Sequence, residues 1–264
     1  MDFTEDDHVF TVFKKLIEEK GYTIEAIDED DIIHLSDGSK ISLDNLRREY
    51  EQVKEDSCIE NFVEAITSSY DMPAWNEAKP NVLPSLFPSD FDFEDHVNFP
   101  VTDEFNMIFV YDTPVNKIWI NEDQLVTWGI DNETLVKTAY ENLDRMLEAA
   151  ELEVEMIDDK KLGFFSLEDE TMKSVLLLAK TLKAKVGKEI GWPIIAVIPV
   201  RDFCYIFAES DFEYFAQRVG DTVMNEYQNS AYPITLELLQ RDDDGVKAVG
   251  RFEMNDDEEE EVDE

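Results

Sequence analysis

Between residues 105 and 252 the apolar positions switch period in a regular rhythm, and this rhythm narrows the fold more than any other feature of the chain. Residues 105–111 and 115–120 alternate as strands around Thr113-Pro114. A helix capped near Asp131 follows, with Leu135, Ala139, Leu143, Met146 and Ala150 on one face. Residues 152–157 and 162–165 are strands again. Ser166-x-x-Asp169 then opens a helix bearing Met172, Val175, Leu176, Ala179 and Leu182. Strands at 194–198 and 203–207 precede a helix opened by Ser210-x-x-Glu213 that carries Phe212, Phe215, Val219 and Val223. Residues 234–239 and 246–252 form a last pair across Asp242-Asp243-Asp244-Gly245, a turn by composition. Short connections favour antiparallel pairing, and the single helices must cover a sheet face. The expected class is α+β, a mostly antiparallel sheet built from hairpins that alternate with single helices. Ile194-Ile195-Ala196-Val197-Ile198 is apolar throughout, so its strand should be central and buried on both faces.

The remainder divides into three parts. Residues 1–70 read as a small helix-hairpin-helix module. Thr4-x-x-Asp7 is a capping box, Val9, Phe10, Phe13, Leu16 and Ile17 share a helical face, and Gly21 ends it. Strands are expected at 22–27 and 32–35 around Asp28-Glu29-Asp30-Asp31, then a turn at Asp37-Gly38 leading to Ile41. A helix from Asp44 and another bearing Ile59, Phe62, Val63 and Ile66 complete the module. Residues 71–100 hold five of the nine prolines, which remove amide donors, so a surface-wrapping connector is expected rather than a long regular element. Residues 101–253 form the C-terminal α+β domain. Residues 254–264 are a like-charge block, expected to be disordered.

Charge limits the functional classes. The chain carries 63 acids and 23 bases, net −40. Residues 251–264 carry −8 of this, so the folded part is acidic too. Such a surface repels nucleic-acid phosphates and anionic membranes. It attracts a basic protein at long range. No apolar run approaches the ~18 residues of a membrane span. The start is acidic where a secretory signal is basic, and Cys58 and Cys204 form no CxxC pair, which together point to the cytoplasm.

Catalytic signals are missing. His8, His34 and His96 show no metal-ligand spacing, and there is no GxSxG, GxGxxG or phosphate loop. No cofactor or metal is expected. Cys204 alternates within a strand as a buried thiol, and Cys58 opens a helix beside Asp56 and Glu60, which oppose thiolate formation. In Asp90-Phe91-Asp92-Phe93-Glu94-Asp95-His96 the phenylalanines should pin the segment and leave the acids in water. Lys173, Lys180, Lys183, Lys185 and Lys188 cluster as a solvated face and helix-end cations. Arg201-Asp202 sits at a turn between core strands. Asp90, Asp92, Glu94, Asp95, Arg201 and Asp202 are the candidate interaction residues.

Several segments look familiar: Ile41-Ser42-Leu43-Asp44-Asn45-Leu46, Val82-Leu83-Pro84-Ser85-Leu86, Leu125-Val126-Thr127-Trp128-Gly129-Ile130, Ala139-Tyr140-Glu141-Asn142-Leu143, Ile195-Ala196-Val197-Ile198-Pro199-Val200-Arg201-Asp202 and Tyr232-Pro233-Ile234-Thr235. In this order they resemble the YtpQ-like family of uncharacterised bacterial proteins, over most of residues 10–250. The resemblance implies an intracellular protein without an established activity, and it assigns no catalytic residue. The acidic tail departs from the family pattern.

The leading expectation is a non-enzymatic acidic protein that binds a basic partner, as an inhibitor or immunity-type antidote. The alternatives are a cryptic enzyme or small-ligand-binding protein and a structural homo-oligomer subunit.

Overall fold

The computed structural model describes residues 7–27, 31–36, 40–67, 72–93, 95–113, 117–230 and 232–253. The chain forms two compact units, Met1–Met72 with Asn229–Tyr232, and Pro73–Gln228 with Pro233–Glu264.

In the smaller unit, α1 (His8–Glu19) is capped by Asp7, whose carboxylate accepts from the Phe10 amide at 3.0 Å. Thr4 lies outside the described residues. Gly21, at φ +91°, takes the left-handed conformation that releases the chain from the helix. Strands β1 (Ile24–Ile27), β2 (Ile33–Leu35) and β3 (Lys40–Ile41) make an antiparallel sheet in that order. Helices α2 (Asp44–Val53) and α3 (Ser57–Thr67) follow. Phe13, Ile17, Ile33, Leu43, Leu46 and Ile59 are sealed in the core. Arg47 ties α2 to the start of α1, with Nε and Nη2 donating to Asp7 at 3.1 and 2.9 Å.

The larger unit opens with α4 (Trp75–Ala78) and strands β4 (Val82–Pro88), β5 (Asn98–Pro100), β6 (Phe105–Asp112) and β7 (Lys117–Trp119). β6 pairs β4 on one side and β5 and β7 on the other. Residues 71–100, expected as a connector, therefore supply two strands, and most of β4 is buried. The prolines permit this because β4 is an edge strand and Pro84 and Pro88 share one parity. Ser89, of the opposite parity, donates its amide to Glu104 O at 2.8 Å on the β6 side, so both proline nitrogens turn away from the ladder.

Helix α6 (Asn132–Ala149) stands where a helix was expected, and α5 (Glu122–Trp128) precedes it in a segment for which none was expected. Gly129, at φ +66°, ends α5, and Asp131 caps α6 through the Thr134 amide at 2.8 Å. Strands β8 (Glu151–Ile157) and β9 (Lys160–Ser166) follow. The helix expected over 166–182 is replaced by two 3₁₀ turns, Glu170–Met172 and Ser174–Leu178, and the short α7 (Leu182–Val186). Asp169, not Ser166, is the cap. Val175 through Ala179 are all buried, so the segment has no wet face against which a regular amphipathic helix would settle.

Strands β10 (Ile194–Val197) and β11 (Tyr205–Ala208), helices α8 (Phe212–Ala216) and α9 (Gly220–Asn229), and strands β12 (Glu237–Asp242) and β13 (Gly245–Arg251) complete the unit. The six-stranded sheet runs β13-β12-β10-β11-β9-β8, antiparallel throughout. The α+β class holds, and β10 is interior with all four residues buried. On one face Leu162, Ile195, Val197 and Phe207 pack under Phe215, Val219 and Val223 of α8 and α9. On the other face Gly163 leaves room for Ile190, since a Cβ there would lie 2.8 Å from Ile190 Cδ1.

Candidate functional site

The residues singled out from sequence gather at one aromatic surface of the larger unit. Asp90, Asp92 and Asp95 are exposed around the bend that follows β4, and Glu94 lies outside the described residues. Phe93 is buried and Phe91 is 39% exposed, so the aromatics pin this bend while its acids face water. Their anchor is Trp119 of β7, whose ring centroid lies 4.4 Å from Phe87, 5.1 Å from Phe91 and 5.1 Å from His96. The Arg201 guanidinium stands 4.0 Å from the Phe87 ring centroid, a cation-π contact that joins the 199–204 turn to this cluster. The Arg201 carbonyl accepts from Ser174 N at 3.0 Å, and Asp202 is exposed beside it. Four of the six candidates thus frame one cluster, and Asp202 neighbours it in sequence.

Two residues beyond Arg201 a second aromatic group begins, which sequence reading passed over. Phe203 lies 4.2 Å from Tyr205, and Tyr205 lies 6.4 Å from Phe164, centroid to centroid. Strand register explains the grouping: Tyr205 pairs Phe164, and Phe164 pairs Glu153, so the three line up across β11, β9 and β8. The next row carries Phe207, Leu162 and Glu155. β8 is the outermost strand, and its Glu151, Glu153 and Glu155 are exposed. Burial pushes the Tyr205 hydroxyl above its ordinary range, and the negative charges of Glu155 and Glu226 push it further the same way. The half-buried rings therefore sit inside the field of carboxylates from β8 and α9. The legible signal was Glu151-x-Glu153-x-Glu155, three acids at strand period on one face.

Elsewhere the cations are largely engaged. Lys117 reaches Asp112 at 2.9 Å and Asp169 at 2.6 Å. Lys183 pairs Asp243 at 2.8 Å, which confirms the acidic stretch 242–245 as a tied turn. Lys160 pairs Asp211. Even if every one of the 23 bases neutralised a carboxylate, 40 acids would remain without a basic partner in the chain. Residues 251–264 carry −8 of the net −40, so −32 lies in residues 1–250.

The arrangement suits recognition of cations. Aromatic faces flanked by carboxylates receive Arg and Lys through stacking, cation-π attraction and charge-assisted hydrogen bonds. Among the described residues no group of three or more His, Cys, Asp or Glu is placed to hold a metal ion. Burial raises the Cys204 thiol to about 12. Burial, then Glu49, raises Cys58 against the pull of backbone hydrogen bonds, so neither thiol is activated. His8 contacts Asp56 at 2.7 Å on the surface, and His96 Nδ1 lies 2.9 Å from the Phe93 carbonyl in a structural contact. Among the described residues no helix is long and apolar enough to cross a membrane. No family model, curated protein or solved structure matches the chain.

Proposed function

We propose that this chain is a non-enzymatic binding protein that captures a basic protein partner, as an inhibitor or immunity-type antidote acting in the cytoplasm. The observation that carries the reading is the carboxylate-flanked aromatic surface. Phe164, Phe203 and Tyr205 present rings beside Glu153, Glu155 and Glu226, and the Phe87–Phe91–Trp119 cluster continues it across the Arg201 turn. Uncompensated charge steers the partner over distances comparable to the Debye length, about 8–10 Å at ordinary salt. The rings then supply apolar contact area for the cationic side chains that dock. Arg201 orders the surface through its cation-π contact with Phe87, 4.0 Å from the ring centroid. The resemblance to the YtpQ-like family belongs to the same proposal, since it assigns no catalytic residue.

The test is affinity capture from the source cells with wild-type chain and with Glu153→Lys, Glu155→Lys and Glu226→Lys combined, at ~50 mM and ~300 mM salt. A control variant reverses Glu18, Glu25 and Glu60, exposed acids of the smaller unit. The reading expects one strongly basic protein held at low salt by wild type and control, lost with the first variant and weakened by salt. Equal capture by both variants would sink it.

A further inference from the structure

A cavity of about 400 Å³ lies between α6, the 3₁₀ turn Ser174–Leu178 and the β12–β13 hairpin. Its polar lining is unusual for so acidic a chain. Tyr140, Lys180 and Arg241 converge on it, against a single acid, Asp244, which is exposed. Lys180 Nζ lies 4.9 Å from the Tyr140 ring centroid. Arg241 donates Nη1 to Asp242 O at 2.9 Å and Nη2 to Ala179 O at 3.5 Å. Its Nε is out of solvent reach and, among the described residues, has no acceptor.

Among the described residues, neither Lys180 nor Arg241 has a carboxylate within ion-pair distance, in a chain with 63 acids. The partly buried Arg241 guanidinium, met only by main-chain carbonyls among the described residues, is incompletely compensated. The Tyr140 hydroxyl likewise has no hydrogen-bond partner among the described residues. Burial raises its pKa, more than Arg241 lowers it, so it remains a donor at neutral pH. Apolar walls complete the cavity, among them Met107 and Leu178.

We propose that this cavity binds a small organic carboxylate, with the anionic head held by Lys180, Arg241 and the Tyr140 hydroxyl and the apolar body lying on Met107 and Leu178. The size suits a single chain or ring of a few carbons. The surrounding negative field selects against multiply charged anions, which the local cation pair does not offset, and it leaves room for a monoanion. The cavity shares no lining residue with the proposed partner-binding surface around Arg201.

Titration calorimetry of the full chain with hexanoate, hexanamide and inorganic phosphate tests the proposal. Hexanoate should saturate one site, with hexanamide weaker by about tenfold or more for want of charge-assisted bonds. Phosphate should also be weaker by about tenfold or more, for want of an apolar body. Arg241→Gln should weaken hexanoate by about tenfold or more. Should that substitution disturb β12, Lys180→Gln at an exposed position repeats the test, with circular dichroism confirming an intact fold, and a several-fold loss is expected. The proposal is overturned by the absence of saturable hexanoate binding at ~10 mM. Equal affinity for hexanamide or phosphate, or an unchanged affinity in folded Lys180→Gln, overturns it as well.

Discussion

Asn142 offers a sharp test of how the larger unit is held together. It is a buried amide in the middle of α6, 7% exposed. Its Nδ2 donates to Val82 O at 2.7 Å and to Lys79 O at 2.8 Å, while its Oδ1 accepts from Arg145. Val82 opens β4 with the parity of Pro84 and Pro88, so its carbonyl also turns away from β6, and Asn142 satisfies it from the helix. Replacing Asn142 with Ala leaves two acceptors without a donor. An unpaired buried acceptor costs about 1–3 kcal/mol. Val82 is fully buried and takes the upper part of that range, whereas the carbonyl of exposed Lys79 is partly rehydrated and takes the lower part. The expected loss is about 2–4 kcal/mol. Asn142→Asp should do at least as much damage at neutral pH, since it sets a carboxylate against two carbonyl oxygens. Urea unfolding followed by tryptophan fluorescence measures this cleanly, because Trp75, Trp119, Trp128 and Trp192 all belong to the larger unit. A loss below about 1 kcal/mol for Asn142→Ala with an unchanged slope would refute the reasoning.

Three further outcomes follow from the same physics. Lys117→Met should cost about 1–2 kcal/mol, because it leaves Asp112 and Asp169 facing each other at a partly exposed site. Burial raises Asp169, but Lys117 and Thr171 hold it below the usual 3.8, so its contribution is present above that pH and lost as pH falls through its folded value. Burial lowers Lys117, but Asp169 and Asp112 hold it above the usual 10.5, so its contribution is present below that pH and lost above. The stability gap between wild type and Lys117→Met should therefore be widest between these limits and close outside them; a gap independent of pH contradicts the pairing. Gly163→Ala should cost about 1–3 kcal/mol by overpacking, since its Cβ would lie 2.8 Å from Ile190 and 2.9 Å from Ile206; calorimetric melting checks it, and an unchanged melting temperature would be the wrong result. Both thiols should resist a disulfide reagent at neutral pH in the native protein and react on unfolding; labelling of Cys204 in the folded state would contradict its burial.

How much of this was legible in the sequence depended on how local the deciding interactions are. The alternation of strand pairs and helices, the interior placement of β10 and the 242–245 turn were readable, because side-chain period and turn composition are local. β4 was not, because proline's tolerance there depends on which edge of the sheet the strand occupies. The helix expected from Ser166 failed because Val175 through Ala179 are buried on every side, and an apolar run alone does not say whether one face or all faces are covered. Gly220 opens α9 within a segment that periodicity joined into one helix. At the candidate surface, the acids after β4 and Arg201 were visible as residues, but their meeting through Phe87 and Trp119 is a product of tertiary pairing. Phe164, Phe203 and Tyr205 read as ordinary strand residues until register set them beside Glu153. The Tyr140–Lys180–Arg241 cavity joins three distant segments and had no local signature.

The central claim is that cations dock on the rings beside β8 rather than anywhere on an acidic surface. Its most direct test is a titration of the full chain with an octa-arginine peptide at ~50 mM salt, following aromatic side-chain resonances by NMR. The account predicts early, saturable shifts at Phe164, Phe203 and Tyr205 that vanish when Glu153, Glu155 and Glu226 are changed to lysine and persist in the Glu18, Glu25 and Glu60 control. Shifts spread evenly over the surface, or the same response in both variants, would contradict it.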